Sequence, residues 1–137
     1  MPRAKRPKFG DPGFHLDLYI AFPDDLAEDI ASGLDLTTKD VLGDTLLERI
    51  CAAAIVFESA AIARCLTLLL DAGADVNARG DGMIKGMTPL MQLAGSYKRI
   101  VEKRPHLEDD VLDLFDLLIE RGADIEAKTD KGKTALD

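Results

Sequence analysis

The chain has no tryptophan, and only two tyrosines, two histidines and two cysteines in 137 residues. So few histidines and cysteines leave no clustered ligand set for a zinc ion. His15 lies near the N-terminal leader and His106 at an expected helix start, so each reads as an exposed or capping residue. No Ser/His/Asp or Cys/His arrangement has supporting context. Nucleophile, base and orienting group cannot be assigned together, and neither an enzyme nor a cofactor is expected. The glycine-rich stretch GDGMIKG, Gly80 to Gly86, lacks the spacing and the Lys-Ser/Thr ending of a phosphate loop. No apolar stretch approaches membrane-spanning length, and the basic N-terminus lacks the apolar run of a signal peptide. A cytoplasmic protein with no membrane partner is expected. Cys51 and Cys65 sit in apolar helix-like stretches and read as reduced core fillers rather than a disulfide.

Positive charge is also in deficit. Asp and Glu total 25 against 17 Lys and Arg, a net charge of −8. Four of the basic residues, Arg3, Lys5, Arg6 and Lys8, crowd into the first thirteen positions among three prolines. Residues 1–13 therefore read as a disordered leader. The remainder is acidic enough to make nucleic acid an unlikely ligand, because phosphate contacts dominate such binding.

What the chain does have is a phrase used three times. GLDLTTKDVLG begins at Gly33, GADVNARGDGMIKG at Gly73 and GADIEAKTDKG at Gly122. Each opens Gly-x-Asp-apolar and closes on a glycine that leads into Gly-x-Thr: GDTLL at Gly43, GMTPL at Gly86, GKTAL at Gly132. Thr45, Thr88 and Thr134 suit helix N-caps, and Pro89 suits a first helical turn, where its missing N–H is not needed. Gly33, Gly73 and Gly122 follow apolar helix-like runs and suit the left-handed residue that stops a helix. Asp81-Gly82 has turn chemistry. Apolar residues recur at helical spacing in Ile62, Leu66, Leu69 and Leu70, and again in Val111, Leu112, Leu114, Phe115, Leu118 and Ile119.

These blocks resemble the ankyrin repeat, whose pattern runs Gly-x-Thr-Pro-Leu-His-x-Ala, a helix pair ending Leu-Leu, then Gly-Ala-Asp-Val-Asn-Ala and a β-turn. GMTPLMQLA (Gly86 to Ala94), LLLDAGADVNAR (Leu68 to Arg79) and LLIERGADIEAK (Leu117 to Lys128) carry the likeness. The resemblance implies an all-α solenoid of stacked helix-turn-helix units with hairpin loops, spanning 14–137. A degenerate N-terminal unit would occupy about 14–42, full units about 43–85 and 86–131, and a truncated stub 132–137. An ideal unit is about 33 residues. Here Thr45 to Thr88 is 43 residues and Thr88 to Thr134 is 46. The excess falls between the helices of a unit: Glu48 to Ser59 reads as a helix-favouring extension, and Ala94 to Asp110 as a segment separating two helices. Pro105 would open the second of these, with Glu108, Asp109 and Asp110 complementing the helix dipole.

The resemblance also implies a function. Arrays of this kind bind other proteins through hairpin tips and first helices, so a non-catalytic interaction module is expected. A narrower alternative is an inhibitor or immunity-type protein that blocks one enzyme, or a regulatory piece of a larger chain. The implied partner-binding residues are Lys39, Val41, Leu42 and Asp44 in the first hairpin; Arg79, Asp81, Met83, Ile84, Lys85 and Met87 in the second; and Lys128, Asp130, Lys131 and Lys133 in the third. Glu48, Met91 and Gln92 would face the partner from the first helices. Either the longer middle loop folds back and buries its own Met83 and Ile84, or Val41-Leu42 and Met83-Ile84 form the apolar centre, rimmed by Lys39, Arg79 and Lys85. A basic cluster, Lys98, Arg99, Lys103 and Arg104, offers a second surface or pairs with Glu108 to Asp110. Asn77 matches an asparagine hydroxylated in some ankyrin proteins, but reads as a residue bonding within its own turn. Because the sequence stops at GKTALD, a missing continuation or self-association through an uncapped end is expected.

Overall fold

The computed structural model describes residues 7–11, 13–82 and 85–135. Within them lie six α-helices: α1 (Leu16–Ala21), α2 (Pro23–Ala31), α3 (Leu46–Ala52), α4 (Ser59–Asp71), α5 (Pro89–Lys103) and α6 (Glu108–Glu120). The molecule is all-helical; among the described residues the one extended pairing is an isolated antiparallel bridge between Lys39 and Thr45. The helices fall into the pairs α1/α2, α3/α4 and α5/α6. Contact between pairs runs α2 to α4, α4 to α6 and α3 to α5.

Local chemistry sets the helix boundaries. Thr45 accepts from the Glu48 amide while the Glu48 carboxylate accepts from the Thr45 amide, a complete capping box at the start of α3. Thr88 accepts from the Met91 amide, and Pro89 opens α5. At the far ends, Gly33, Gly73 and Gly122 adopt φ of +98°, +96° and +97°. The left-handed turn lets the next amide reach back over six residues: Leu34 to the Asp29 carbonyl, Ala74 to Leu69 and Ala123 to Leu118, each at 3.0 Å. The chain then turns on an aspartate. Asp35, Asp75 and Asp124 accept from the amides of Thr37, Asn77 and Glu126, each at 2.9 Å.

The segments between paired helices differ from the sequence expectation. Glu48 to Ser59 is not one extended helix: α3 stops at Ala52, and a 3₁₀ turn (Ala53–Ile55) leads towards α4. Ala94 to Lys103 does not separate two helices but prolongs α5 to fifteen residues. The physical reason is packing. The Ser96 hydroxyl donates to the Cys51 and Ala52 carbonyls at the end of α3, and Ile100 is buried beyond it. Tyr97 meets Phe115 edge to face at 5.7 Å and donates to Glu108 at 2.6 Å, tying the overhang to α6. Pro105 opens a 3₁₀ turn (Pro105–Leu107), and the acids Glu108, Asp109 and Asp110 occupy the first turn of α6.

The core runs through Tyr19, Leu26, Ile50, Cys51, Ile62, Cys65, Leu66, Leu69, Leu93, Leu114 and Leu118. Both cysteines are buried and free. Of the α6 stripe, Val111, Leu114 and Leu118 are buried, while Leu112 and Ile119 face outward. The leader is shorter than expected. Phe9 is only 6% exposed, packs edge to face on Phe14, and its amide donates to the Tyr19 hydroxyl. That hydroxyl donates to buried Asp29 at 2.6 Å. An aromatic residue with this burial outweighs the polar composition around it, so Phe9 belongs to the packed part of the chain. Residues 1–6 of the expected leader, with Arg3, Lys5 and Arg6, lie outside the described residues, as do 136 and 137 of the expected stub.

Candidate binding surface on the hairpins

Three hairpins alternate with the helix pairs. In the first, the Asp40 amide donates to the Asp44 carbonyl and the Gly43 amide to the Asp40 carbonyl, both at 2.9 Å. The Asp40 side chain accepts from the amides of Leu42 and Asp44, and it pairs with Arg49 at 3.2 Å. In the second, the Gly80 amide donates to the Met87 carbonyl and the Gly86 amide to the Gly80 carbonyl. In the third, the Thr129 amide donates to the Lys133 carbonyl, and the Thr129 hydroxyl accepts from the amides of Lys131 and Lys133.

Successive hairpins are joined. The Asp81 amide donates to the Gly43 carbonyl at 2.7 Å and the Asp130 amide to the Lys85 carbonyl at 3.0 Å. Lys39 reaches the Arg79 carbonyl and forms a 2.6 Å pair with Asp81. Arg79, the next basic residue in the series, donates to the Lys128 carbonyl. Asn77 takes part in the same cross-linking: its amide group donates to the Gly122 carbonyl at 3.0 Å, and its oxygen accepts from the Asp124 amide at 2.8 Å. The expectation that Asn77 bonds within its own turn is therefore corrected. Asp75 does that work, leaving Asn77 to bridge to the next unit.

The expected partner-facing residues separate into three groups. Val41, Leu42, Asp81, Lys85, Lys128, Asp130, Lys131 and Lys133 are exposed. Lys39 and Arg79 are exposed too, but their cationic groups are spent on internal links. Asp81 raises the Lys39 pKa, chiefly by hydrogen bonding, and is itself lowered. Met87 and Gln92 are half-buried. Asp44 at 8%, Met91 at 5% and Glu48 at 0% exposure are corrections, because none can face a partner. Asp44 and Glu48 turn under the second hairpin, and Met91 lies in the first turn of α5, closed by the Thr88 cap. Met83 and Ile84 lie outside the described residues. The signal that would have placed Glu48 was present: Thr-x-x-Glu spacing folds the glutamate back onto its own cap.

Several concavities adjoin these elements, among them one of about 270 Å³ between Lys39, Thr45 and Leu47 on one side and Gly73, Ala78 and Arg79 on the other. A cleft of about 250 Å³ lies between the first hairpin and the N-terminal turn, lined by Phe9, Phe14, Leu16, Val41 and Leu42, with Asp11, Asp40 and Arg49 around them. Val41 is fully exposed and Leu42 about half. A longer groove of about 760 Å³ lies under the overhang of α5, with Phe57, Ile100, Val111 and Leu114 in its wall and Arg104, Glu58, Asp110 and Asp113 beside them. Arg104 is the one member of the expected basic cluster that lines it; Lys98, Arg99 and Lys103 are exposed on α5. Glu108, a suggested partner for that cluster, is engaged by Tyr97.

Burial pushes the Cys65 thiol up to about 11 and Cys51 higher still, so neither is a ready nucleophile at neutral pH. Among the described residues, no group of three or more His, Cys, Asp or Glu side chains could hold a metal ion, and no helix is long and apolar enough to cross a membrane. No protein-family model and no curated protein sequence matches the chain.

Proposed function

We propose that this chain is an ankyrin-type stack acting as a non-catalytic protein-interaction module, with the hairpin tips as its contact surface. The observation that carries this reading is the first hairpin. Its backbone is held by its own bonds and by the next hairpin, yet Val41 and Leu42 project from it into solvent beside an apolar cleft. Adjacent exposed apolar side chains on a backbone already held in place can bury area on association while losing little ordering entropy. The third hairpin adds exposed Lys128, Lys131 and Lys133. The fitting partner is a protein with an apolar anchor for the first hairpin and carboxylates for the third. The two buried, unpaired thiols suit a reducing compartment, and the cytoplasm is proposed on that ground.

The test is capture from the source cell with the wild-type chain and with a Val41→Ser/Leu42→Ser double variant. The double variant should keep its circular dichroism spectrum, because neither side chain belongs to the core, and should bind the captured partner at least tenfold more weakly. Unchanged affinity in a folded variant would remove the first hairpin from the contact surface. A partner that proves to be an enzyme silenced on binding would select the inhibitor form of this reading.

A further inference from the structure

The space under the second hairpin holds two acids, one of them with an oxygen that no donor reaches. Glu48 is wholly buried. Its Oε1 accepts from the Thr45 amide and hydroxyl, but Oε2 has no hydrogen-bond partner. Asp44, also buried, lies against the same spot. Asp44 Oδ1 and Glu48 Oε2 each come within 2.5 Å of the point where a Cβ on Gly80 would stand. The Gly82 position meets the Leu42 carbonyl at 2.9 Å and Asp44 Oδ1 at 3.3 Å. The Asp44 and Glu48 carboxyl groups are thus both aimed at the backbone of the second hairpin.

The nearby cations Lys39 and Arg49 favour the ionised acids, but both are engaged elsewhere and burial prevails. Lys39 faces the pair from the first hairpin but gives its hydrogen bonds to Asp81 and the Arg79 carbonyl. Arg49 on α3 is paired with Asp40, whose own negative charge adds to that at Asp44. Asp81 on the second hairpin adds another negative charge, and Cys51 on α3 stays a neutral thiol. Two ionised carboxylates here would leave one buried oxygen unsatisfied and repel across Gly80.

We propose that Glu48 and Asp44 share one proton, and that this proton latches the second hairpin onto the first. The Glu48 carboxylic acid donates from Oε2 to the Asp44 carboxylate, and the Gly80–Gly82 backbone closes over the pair. Losing the proton to solvent leaves two anions under the hairpin. The contact between the Asp81 amide and the Gly43 carbonyl then loosens. Burial, assisted by the Asp44 charge, raises Glu48 to about 7, which agrees with this geometry. The sign follows from a folded value above the free one. The stabilisation is complete below about 4.5, the free glutamate value, and is lost as pH rises through about 7. Because the groups are coupled, the midpoint belongs to the pair.

The experiment uses the full chain without any partner, so it stands or fails separately from the proposed contact surface. Carboxyl carbon NMR should show Glu48 titrating near pH 7, and Asp44→Asn should move that midpoint down. Hydrogen exchange at the Asp81 amide, corrected for intrinsic rate, should quicken at least tenfold from pH 5.5 to 8. In Glu48→Gln, whose side-chain amide keeps a donor at the Oε2 position, it should change less than twofold. A Glu48 midpoint below 5, a midpoint unmoved by Asp44→Asn, or equal pH responses in wild type and Glu48→Gln would each overturn the latch.

Discussion

Gly80 stands where the other hairpins carry Asp40 and Thr129. Those two side chains accept the amides of their own turns, Leu42 and Asp44 in one case, Lys131 and Lys133 in the other. Gly80 has nothing to offer its turn, and the space it leaves is taken by Asp44 and Glu48. The role of this glycine is close approach, since its Cβ would collide with two carboxyl oxygens. Gly95 is the natural contrast, a helical glycine in α5 with open space around its Cβ position. Gly80→Ala should cost about 1–3 kcal/mol through forced displacement of the buried acids. Gly95→Ala should gain up to about 1 kcal/mol from helix propensity. Urea midpoints of both variants against wild type check the pair of signs. Equal midpoints for Gly80→Ala and wild type would mean that the acids move aside freely and hold nothing in place.

At the scale of elements, what could be read from the sequence depended on whether a boundary is set locally. Thr45, Thr88 and Pro89 set helix starts, and Gly33, Gly73 and Gly122 set helix ends, by bonds within six residues. Those positions were legible without any knowledge of neighbours. The length of α5 was not, because Ser96 and Ile100 are held by the end of α3 and the core, far away in sequence. Phe9 was misread for the same reason: local composition is polar and proline-rich, while its partners Phe14 and Tyr19 lie further along the chain. The hairpin tips were legible as exposed turns, but the inward course of Asp44 and Glu48 depends on the hairpin that follows. Asn77 also depends on a later unit, and its part can be measured. Asn77→Ala removes two bonds to the third turn and should cost about 1–2 kcal/mol. The loss should concentrate there, so exchange of the Asp124 amide should accelerate more than that of Thr37, whose own aspartate turn is untouched. Uniform acceleration at both would show that Asn77 supports the whole fold rather than one junction.

Across the whole molecule, each helix pair touches mainly the pair before or after it. In such an arrangement stability approximates a sum of unit terms and nearest-neighbour interface terms, and the units with a neighbour on both sides are the hardest to lose alone. Leu66 and Leu118 allow that to be tested, because both are wholly buried leucines on the second helix of a pair. Leu66 sits on α4, which contacts α2 on one side and α6 on the other, whereas α6 contacts α4 and α5. Truncation of either should cost about 2–5 kcal/mol locally. The consequences should differ. Leu66→Ala weakens the pair shared by both interfaces, so urea unfolding should remain a single transition at a lower midpoint. Leu118→Ala weakens an outer pair, so α6 and the third hairpin should detach first. Hydrogen exchange would then show low protection from Glu108 to Glu120 while α4 stays protected at the wild-type level. If Leu118→Ala instead lowers protection equally in α4 and α6, the three pairs fold as one indivisible core and the nearest-neighbour description is wrong. Salt offers a control on the cause: the outer ion pair between Arg121 and Asp71 is surface-exposed at 2.7 Å, and such pairs contribute little. Detachment of α6 should therefore shift only slightly with added salt, as expected if apolar packing holds it.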